Sequence, residues 1–397
     1  MKRYLSALSL VALILLPGCV TQTVRSTSVA ALETPQMPIA EDELLDIGVA
    51  IFDPNLEQVT TDQDVPIFAE VRRAEATFMA GQLTQVLQDQ NAWGAVRIVP
   101  DDQQFTDLLV RGKILKSDGE QLSLAIRVTD ATGREWINKT YSGTTSVYAY
   151  NQTARANNDP FVGVYRDIAN DLLKRFNNRS RSERIAIRRI AEMRFARDFS
   201  ADAFSPYLNQ NDKGIYSLTR LPAENDPMLE RVRTIRGRNY TFVDTLQGHY
   251  SGFSEEITGP YDEWRKASYE ETVALRELRA EAQRDMILGG LAVIAGVAAQ
   301  GSGSEYTQAA GAVGVIAGGY LLKGGLEKRA ASEIHALALE EIGQSLEAEV
   351  TPRVIELEDR TVRLSGSVED QYQQWRELLA DIYATEMQAL EELSQAE

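Results

Sequence analysis

Cys19 is the residue best placed to undergo chemistry, because it is the only cysteine of the 397-residue chain and follows a short apolar stretch. Lys2 and Arg3 form a basic start, residues 5–16 are apolar but too short to span a membrane, and Gly18 is a small residue. A basic start, a short apolar stretch and a small residue are typical of a secretory signal. The pattern predicts an exported protein whose signal ends near Cys19.

The last residues of this segment, Leu16-Pro17-Gly18-Cys19, resemble the lipobox of bacterial lipoproteins. The resemblance implies that the Cys19 thiol is diacylated, that the signal is cut between Gly18 and Cys19, and that acyl chains such as palmitate are added. Several acyl chains on one residue give stable anchoring, whereas one chain binds only marginally. In this family an aspartate after the cysteine retains the protein in the inner membrane. The resemblance implies the outer membrane, with the body in the periplasm, because here the next residues are Val20, Thr21 and Gln22.

The sequence lacks other signatures of catalysis and metal binding. No second cysteine is present for a disulfide or a thiolate zinc site, and His249 and His335 are far apart along the chain. The serine nucleophile elbow, the phosphate-binding loop, the dinucleotide fingerprint, the zinc-protease helix motif and the calcium loop are absent from the sequence. Adjacent acidic residues such as Glu255 and Glu256 do not by themselves place two carboxylates across a cleft. We therefore predict a protein that is not an enzyme and has no metal or cofactor.

The overall charge restricts the partners. The formal net charge is −17, and an acidic surface repels nucleic acid and other phosphate-rich polymers. We expect the lipid bilayer, reached through the acyl chains on Cys19, and another protein of the periplasm or outer membrane as partners.

The elements behind the cysteine begin with a linker. After the signal peptide of residues 1–18, residues 19–43 are rich in Ser, Thr, Gln and Pro and show no apolar periodicity. This composition is typical of an extended chain. We predict a lipidated, flexible tether over residues 19–43.

Residues 44–176 are expected to form an α+β domain with the order β-α-β-β-β-α. Apolar residues at helical spacing predict helices over 71–90 and 161–176, and alternating residues with Asp-Gly and Thr-Gly turns predict strands. The strands are expected over 45–52, 96–99, 107–116, 121–130 and 135–143. This order resembles the small domain shared by the curli-export subunit, the outer-membrane activators of penicillin-binding proteins and the N-terminal part of the Tol translocation protein. The resemblance implies a domain that binds other proteins without catalysis.

Residues 177–260 are predicted to contain a basic helix and an aromatic-rich irregular region. The basic residues of 174–198 could dock an acidic partner or membrane head groups, or could contact acidic parts of the chain itself. The aromatic residues of 199–260 could bind glycan or could build a small core. Residues 239–243 are expected to form a strand.

Residues 261–350 are predicted to form a long helical hairpin with a glycine-rich apolar tip at 286–322. Small residues four apart let helices approach closely, as in membrane helix pairs. The expected packing residues are Ala292, Gly296, Ala310, Gly314 and Gly318. The tip could be buried within the fold or an oligomer, dip into a bilayer or line a pore, or lie flat against the membrane. Each apolar segment is about 21 Å long at 1.5 Å per residue, which is short for simple spanning.

Residues 351–397 are expected to form a β-hairpin and an amphipathic C-terminal helix. Ser367-Val368-Glu369-Asp370 matches a capping box at the start of this helix. The apolar spacing of the helix is coiled-coil-like, although packing on its own hairpin explains it equally well.

Taken together, the sequence predicts a non-catalytic outer-membrane lipoprotein that acts as a periplasmic scaffold or assembly factor of a cell-envelope complex and forms homo-oligomers. A subunit of an export or membrane-inserting, pore-like assembly is the alternative. A binder of peptidoglycan or another glycan is the third hypothesis.

Overall fold

The computed structural model describes residues 30–58, 69–100, 106–150, 159–223, 225–298, 353–356, 361–365 and 367–396. The α-helices are α1 (Ala69–Asp89), α2 (Val162–Asn177), α3 (Arg181–Phe199), α4 (Ala201–Phe204), α5 (Pro227–Ala298) and α6 (Val368–Ala396). The strands are β1 (Ile47–Ala50), β2 (Val96–Val99), β3 (Leu108–Ser117), β4 (Gln121–Asp130), β5 (Glu135–Thr144), β6 (Leu208–Gln210), β7 (Tyr216–Leu218), β8 (Arg353–Glu356) and β9 (Thr361–Leu364). The α+β class is therefore confirmed.

The N-terminal domain is built on a five-stranded sheet with the strand order β2-β1-β3-β4-β5. β1 pairs in parallel with both β2 and β3, and β3, β4 and β5 form an antiparallel meander. All five strands expected in this domain are present, so its element order is β-α-β-β-β-β-α, one strand more than the predicted order β-α-β-β-β-α. Glycines with positive φ lie in both tight turns of the meander, Gly119 at +78° and Gly133 at +89°, where a side chain would strain the backbone.

One face of the sheet carries the core. The apolar residues that alternate along β4, Leu122, Leu124, Ile126 and Val128, are buried and share one core with α1 and α2. The ring of Trp93, which follows α1, meets the ring of Phe176 of α2 edge to face at 5.3 Å. On β5, Lys139 and Tyr141 both contact Asp171 of α2. These contacts hold the two helices on the same side of the sheet.

The middle region is more regular than the sequence predicts. The predicted basic helix is present as α3, which begins at a capping box of Ser180 and Glu183, and its Ile187 and Ile190 enter the core. A short hairpin of β6 and β7 follows. Residues 239–243, expected to form a strand, instead lie within α5, which begins at Pro227 and not at residue 261.

The strand prediction for residues 239–243 is wrong for a physical reason. The β-branched and aromatic residues at 239–243 favour a strand locally, but packing overrides such propensities. In α5 the buried side chains recur every three or four residues and form one apolar stripe. They are Val232, Ile235, Phe242, Leu246, Tyr250, Phe253 and Ile257, with the buried polar side chain of Asn239 between Ile235 and Phe242. The overlooked signal is Asp226-Pro227, because Asp226 Oδ1 accepts hydrogen bonds from Met228 N and Leu229 N, and proline favours the first helical position.

The C-terminal elements pack on α5. The predicted capping box is present, since Ser367 Oγ accepts from Asp370 N at 3.2 Å and Asp370 Oδ2 accepts from Ser367 N at 3.1 Å. The ring of Trp375 in α6 stacks on Phe242 of α5 with 4.9 Å between centroids. The hairpin of β8 and β9 adds Leu364 to the same cluster. The amphipathic face of α6 is thus used mainly against α5 rather than against its own hairpin.

Within the part of the chain that the structure describes, no helix combines the length and the apolar character needed to cross a membrane.

Candidate functional site

Five of the seven residues predicted to carry function lie outside the part of the chain that the structure describes. Gly18, Cys19, Ala310, Gly314 and Gly318 all fall outside the described residues, as does the returning arm of the predicted hairpin. Ala292 and Gly296 are four residues apart near the end of α5, so they share one face of the helix. The structure therefore describes two attachments. One holds residues 30–43, which follow the predicted anchor, and the other holds α5, which leads to the predicted tip.

The segment 30–43 is attached to the body, so the prediction of a flexible tether through residue 43 is wrong for this part. The buried side chain of Asn170 on α2 accepts from Glu33 N at 2.8 Å and donates to the Ala31 carbonyl at 2.9 Å. Gln90 Nε2 donates to the Glu33 carbonyl at 3.0 Å. The side chains of Asn170 and Gln90 thus pair with backbone groups that a neighbouring strand would otherwise satisfy. These hydrogen bonds help to offset the conformational entropy that residues 30–43 lose when they are ordered.

The basic helix α3 contacts acidic parts of its own chain, which was one of the two interpretations of its charge. Arg181 pairs with Asp42 and Glu43, and Arg184 Nη2 lies 2.7 Å from Glu43 Oε2. Arg188 Nη1 donates to the Glu41 carbonyl at 2.6 Å. The acidic turn Glu41–Glu43 thus neutralises the first half of the helix.

Asp107 forms a buried charge cluster at the start of β3. Its Oδ2 accepts from Asp46 N at 2.9 Å, and Arg188 and Arg236 lie 3.8 and 3.9 Å from its oxygens. Burial raises the pKa of Asp107 to about 6, although Arg236 opposes this rise. Tyr240 of α5 and Asp46 add to the field around the carboxyl group. The cluster joins the sheet to α3 and α5.

A second buried polar cluster fixes α5 to α1 and β3. Glu75 is fully buried, and its Oε1 accepts from Ser117 Oγ at 2.6 Å and from Tyr261 OH at 2.8 Å. Arg72 Nε lies 3.3 Å from Glu75 Oε2. Burial, followed by the charge of Glu75, raises the pKa of Tyr261 well above its usual value, so this hydroxyl remains a donor. A buried charge is tolerated only when it is paired in this way.

Arg265 extends this attachment by one turn of α5. Only 2% of its side chain is exposed, and its guanidinium donates to Asp159 Oδ2 at 2.7 Å and to Asp262 Oδ1 at 2.5 Å. The same group lies 4.3 Å from the ring centre of Tyr261. Burial acts to lower the pKa of Arg265, but Asp159, Tyr261, Tyr150 and Asp262 together outweigh it, and the pKa is raised. Arg265 is therefore always charged and holds the helix electrostatically.

The turn between β3 and β4 touches the backbone of α5 directly. A Cβ atom on Gly119 would lie 2.2 Å from the Arg265 carbonyl oxygen and 2.5 Å from Tyr269 N, so only glycine fits. Thr272 Oγ1 donates to the Asp118 carbonyl at 3.0 Å, and Arg276 forms an ion pair with Glu120. Among the side chains of α5 that the structure describes, contacts with the sheet domain thus extend as far as Arg276.

A groove of about 370 Å³ lies between α3, β7 and the turn after β4. Its floor is the side of α3 that carries Ala186, Ile187 and Ile190, and its rim includes Arg134 and Arg179. No sequence motif pointed to it, because its walls come from segments that are distant along the chain. Across the described ranges, no group of three or more His, Cys, Asp or Glu side chains could hold a metal ion.

Comparison with known proteins adds little. No protein-family model matches the chain. No curated protein matches it either. A crystal structure of a Xanthomonas campestris protein described by the family name DUF330 is similar over 37% of this chain and 89% of that one, with 10% identity and a TM-score of 0.25. A likeness this low carries no argument about the fold or function of this chain.

Proposed function

We propose that this protein is a non-catalytic lipoprotein, held on the periplasmic face of the outer membrane by acyl chains on Cys19, that acts as a scaffold or assembly factor of a cell-envelope complex. The lipobox-like sequence supports the anchor. Ala31 and Glu33 are held by α2 and residues 41–43 by α3, which supports a body that stands only a short stretch of chain away from Cys19.

The observation that carries the proposal is the way α5 is fixed to the sheet domain. The helix is 72 residues long, which is about 110 Å at 1.5 Å per residue. It is held by the Asp107 cluster, by Glu75 and by the Gly119 turn, and these contacts are spread from Arg236 to Arg276. A helix fixed at several points moves with its domain as one unit.

This arrangement suits a protein that holds something at a distance. The 22 residues from Arg276 to Ala298 add about 33 Å of helix beyond the last described side-chain contact with the sheet domain. The glycine-rich segment that follows would meet a second copy of the chain, since small residues allow close helix packing. The N-terminal domain would bind a protein partner.

One observation favours a second candidate function, that of a subunit of a membrane-inserting assembly. The helical backbone of α5 continues through residues 286–298, and this stretch contains no charged residue. A tip of this composition could enter a bilayer as part of an oligomer.

The deciding experiment is the mass of the full-length lipidated protein, extracted in mild detergent, for the wild type and two double variants. Gly314→Leu with Gly318→Leu is expected to reduce a defined oligomer to the monomer. Gly248→Leu with Gly252→Leu is the matched control, because both glycines are four apart on α5 and have open space where a Cβ would lie. The control is expected to keep the wild-type mass.

The outcomes separate the proposals. A monomeric wild type, or an oligomer that both double variants leave intact, would overturn self-association through the tip. Dye leakage from liposomes that is lost in Ile294→Asp would favour the membrane-inserting function. Acyl label that persists in Cys19→Ala would refute the anchor.

A further inference from the structure

The groove beside β7 has the three features that an extended peptide needs: a strand edge, an apolar floor and a charged rim. It is bounded by α3 on one side and by β7 on the other, and its volume of about 370 Å³ is within the range of roughly 300–1,000 Å³ that is usual for binding sites. The use of this groove rests on the proposed function, in which the N-terminal domain binds a protein partner, because the turn after β4 of that domain forms one wall of the groove.

The edge of β7 that lies away from β6 has hydrogen-bonding capacity left. In the register of the hairpin, Leu208 is opposite Leu218 and Gln210 is opposite Tyr216. Tyr216 N points away from β6, because it donates to the Thr132 carbonyl at 2.8 Å. Antiparallel pairs alternate, so the N–H and C=O of Leu218 point to the same outer side. Among the residues that the structure describes, they have no hydrogen-bond partner there.

The floor of the groove suits an apolar side chain. Ile187 is buried, and Ala186 beside it leaves space because its side chain is small. An extended peptide that pairs with β7 would direct every second side chain toward this floor, since side chains alternate along a strand. Recognition by strand addition draws affinity from the main chain and specificity from such pockets.

The rim is positively charged. Arg134 is exposed, and within the described part of the chain its guanidinium forms no hydrogen bond or ion pair. Arg179 pairs with Glu183 at 3.5 Å, and Glu183 also caps α3 through Ser180. Asp130 also lines the groove, but it is buried, its oxygens accept hydrogen bonds from Thr132 N, Arg134 N and Trp136 Nε1, and its charge faces Arg194. At the rim, the one carboxylate of Glu183 faces the two guanidinium groups of Arg134 and Arg179, which leaves a positive charge for an acidic side chain.

We propose that this groove binds an extended, acidic peptide segment of a partner protein, which adds a strand to the outer edge of β7. The main chain of the peptide pairs with Leu218, an apolar side chain fills the space beside Ala186 and an acidic side chain meets Arg134.

The test uses the full-length protein in mild detergent and a displayed library of random twelve-residue peptides. Selection is expected to enrich peptides in which acidic and apolar residues alternate. The enriched peptides, labelled with fluorescein, are then titrated by anisotropy. Ala186→Trp, which fills the groove, and Arg134→Glu are expected to weaken binding at least tenfold.

Two matched controls are expected to change the affinity less than twofold. Arg134→Lys keeps the charge of the rim, and Ala201→Trp places the same bulky ring at an exposed position of α4 outside the groove. No enrichment of acidic peptides, or binding that Ala186→Trp leaves unchanged, would overturn the proposal.

The mass of the oligomer distinguishes a failure of peptide binding in the groove from a failure of the proposed self-association. The groove is separate from the glycine-rich segment, so Ala186→Trp is expected to retain the wild-type mass while it loses peptide binding. A defined oligomer without any peptide binding overturns the groove alone. A monomer that binds acidic peptides supports the groove and overturns self-association alone.

Discussion

The side-chain amide of Gln247 acts as a strand neighbour for Ile98. Gln247 Oε1 accepts the Ile98 N–H at 2.9 Å, and Gln247 Nε2 donates to the Ile98 carbonyl at 2.9 Å. β2 is an edge strand of the sheet, and an open edge can pair with another chain. One residue of α5 therefore closes this edge and fixes the helix to the sheet, while Arg97 adds two hydrogen bonds to Asp244.

Gln247→Ala is expected to lower the free energy of unfolding by about 1–3 kcal/mol, because it leaves the peptide group of Ile98 without its partner. Urea unfolding measures the change. Glu256→Ala, at an exposed position of the same helix, is the control and should stay within about 0.5 kcal/mol of the wild type. Equal stability of the two variants would show that the amide does not hold the edge.

Gly119→Ala should weaken the attachment of α5 more than Gly133→Ala does. Both glycines have positive φ, so each variant carries backbone strain of about 1–2 kcal/mol. Only Gly119 also lies against the backbone of α5, whereas the nearest atom to a Cβ on Gly133 is the Gly214 carbonyl oxygen at 3.1 Å. Amide hydrogen exchange in residues 261–276 should therefore rise in Gly119→Ala and stay unchanged in Gly133→Ala.

Arg265→Met is expected to destabilise the protein by about 3–5 kcal/mol, since it leaves the buried Asp159 carboxylate without its cation. Thermal unfolding measures this loss. Arg127→Met, which removes an exposed ion pair with Glu135, should cost less than about 1 kcal/mol. A small loss in both variants would mean that Arg265 does not hold α5.

The contribution of Asp107 to the free energy of unfolding should fall as the pH rises from about 4 to about 6. The folded state holds the proton of this carboxyl up to a pKa of about 6, whereas an unfolded aspartate loses it near pH 4. The contribution is therefore complete below pH 4 and lost above pH 6, with a size of about 3 kcal/mol.

Asp107→Asn removes this titration. The difference in unfolding free energy between the wild type and the variant should thus change across this pH range and be constant above it. A difference that is independent of pH would contradict the raised pKa.

Much of the N-terminal domain could be predicted because its signals are local. The alternation in β4, the Asp-Gly and Thr-Gly turns and the helical spacing of α1 each report the structure of their own segment. The capping box at Ser367 is equally local, since both of its partners lie within four residues.

The start of α5 was missed for the opposite reason. Residues 239–243 have strand-like composition, but Phe242 packs on Trp375 of α6 and shares one apolar core with Met193 and Phe195 of α3, which favours the helix. The predicted tether was too long for a similar reason. Gln90 and Asn170, which hold Ala31 and Glu33, are distant from them along the chain.

The sequence by itself determined the predicted export signal and its cysteine, the acidic charge, the α+β class and the positions of the helices and strands in the first domain, since each is encoded in neighbouring residues. Only the tertiary structure decided that α5 is one continuous helix, that Glu75, Asp107 and Arg265 fix it to the sheet, and that a groove opens beside β7. These features depend on contacts between residues up to 186 positions apart, and the energy of such contacts exists only once the chain has folded.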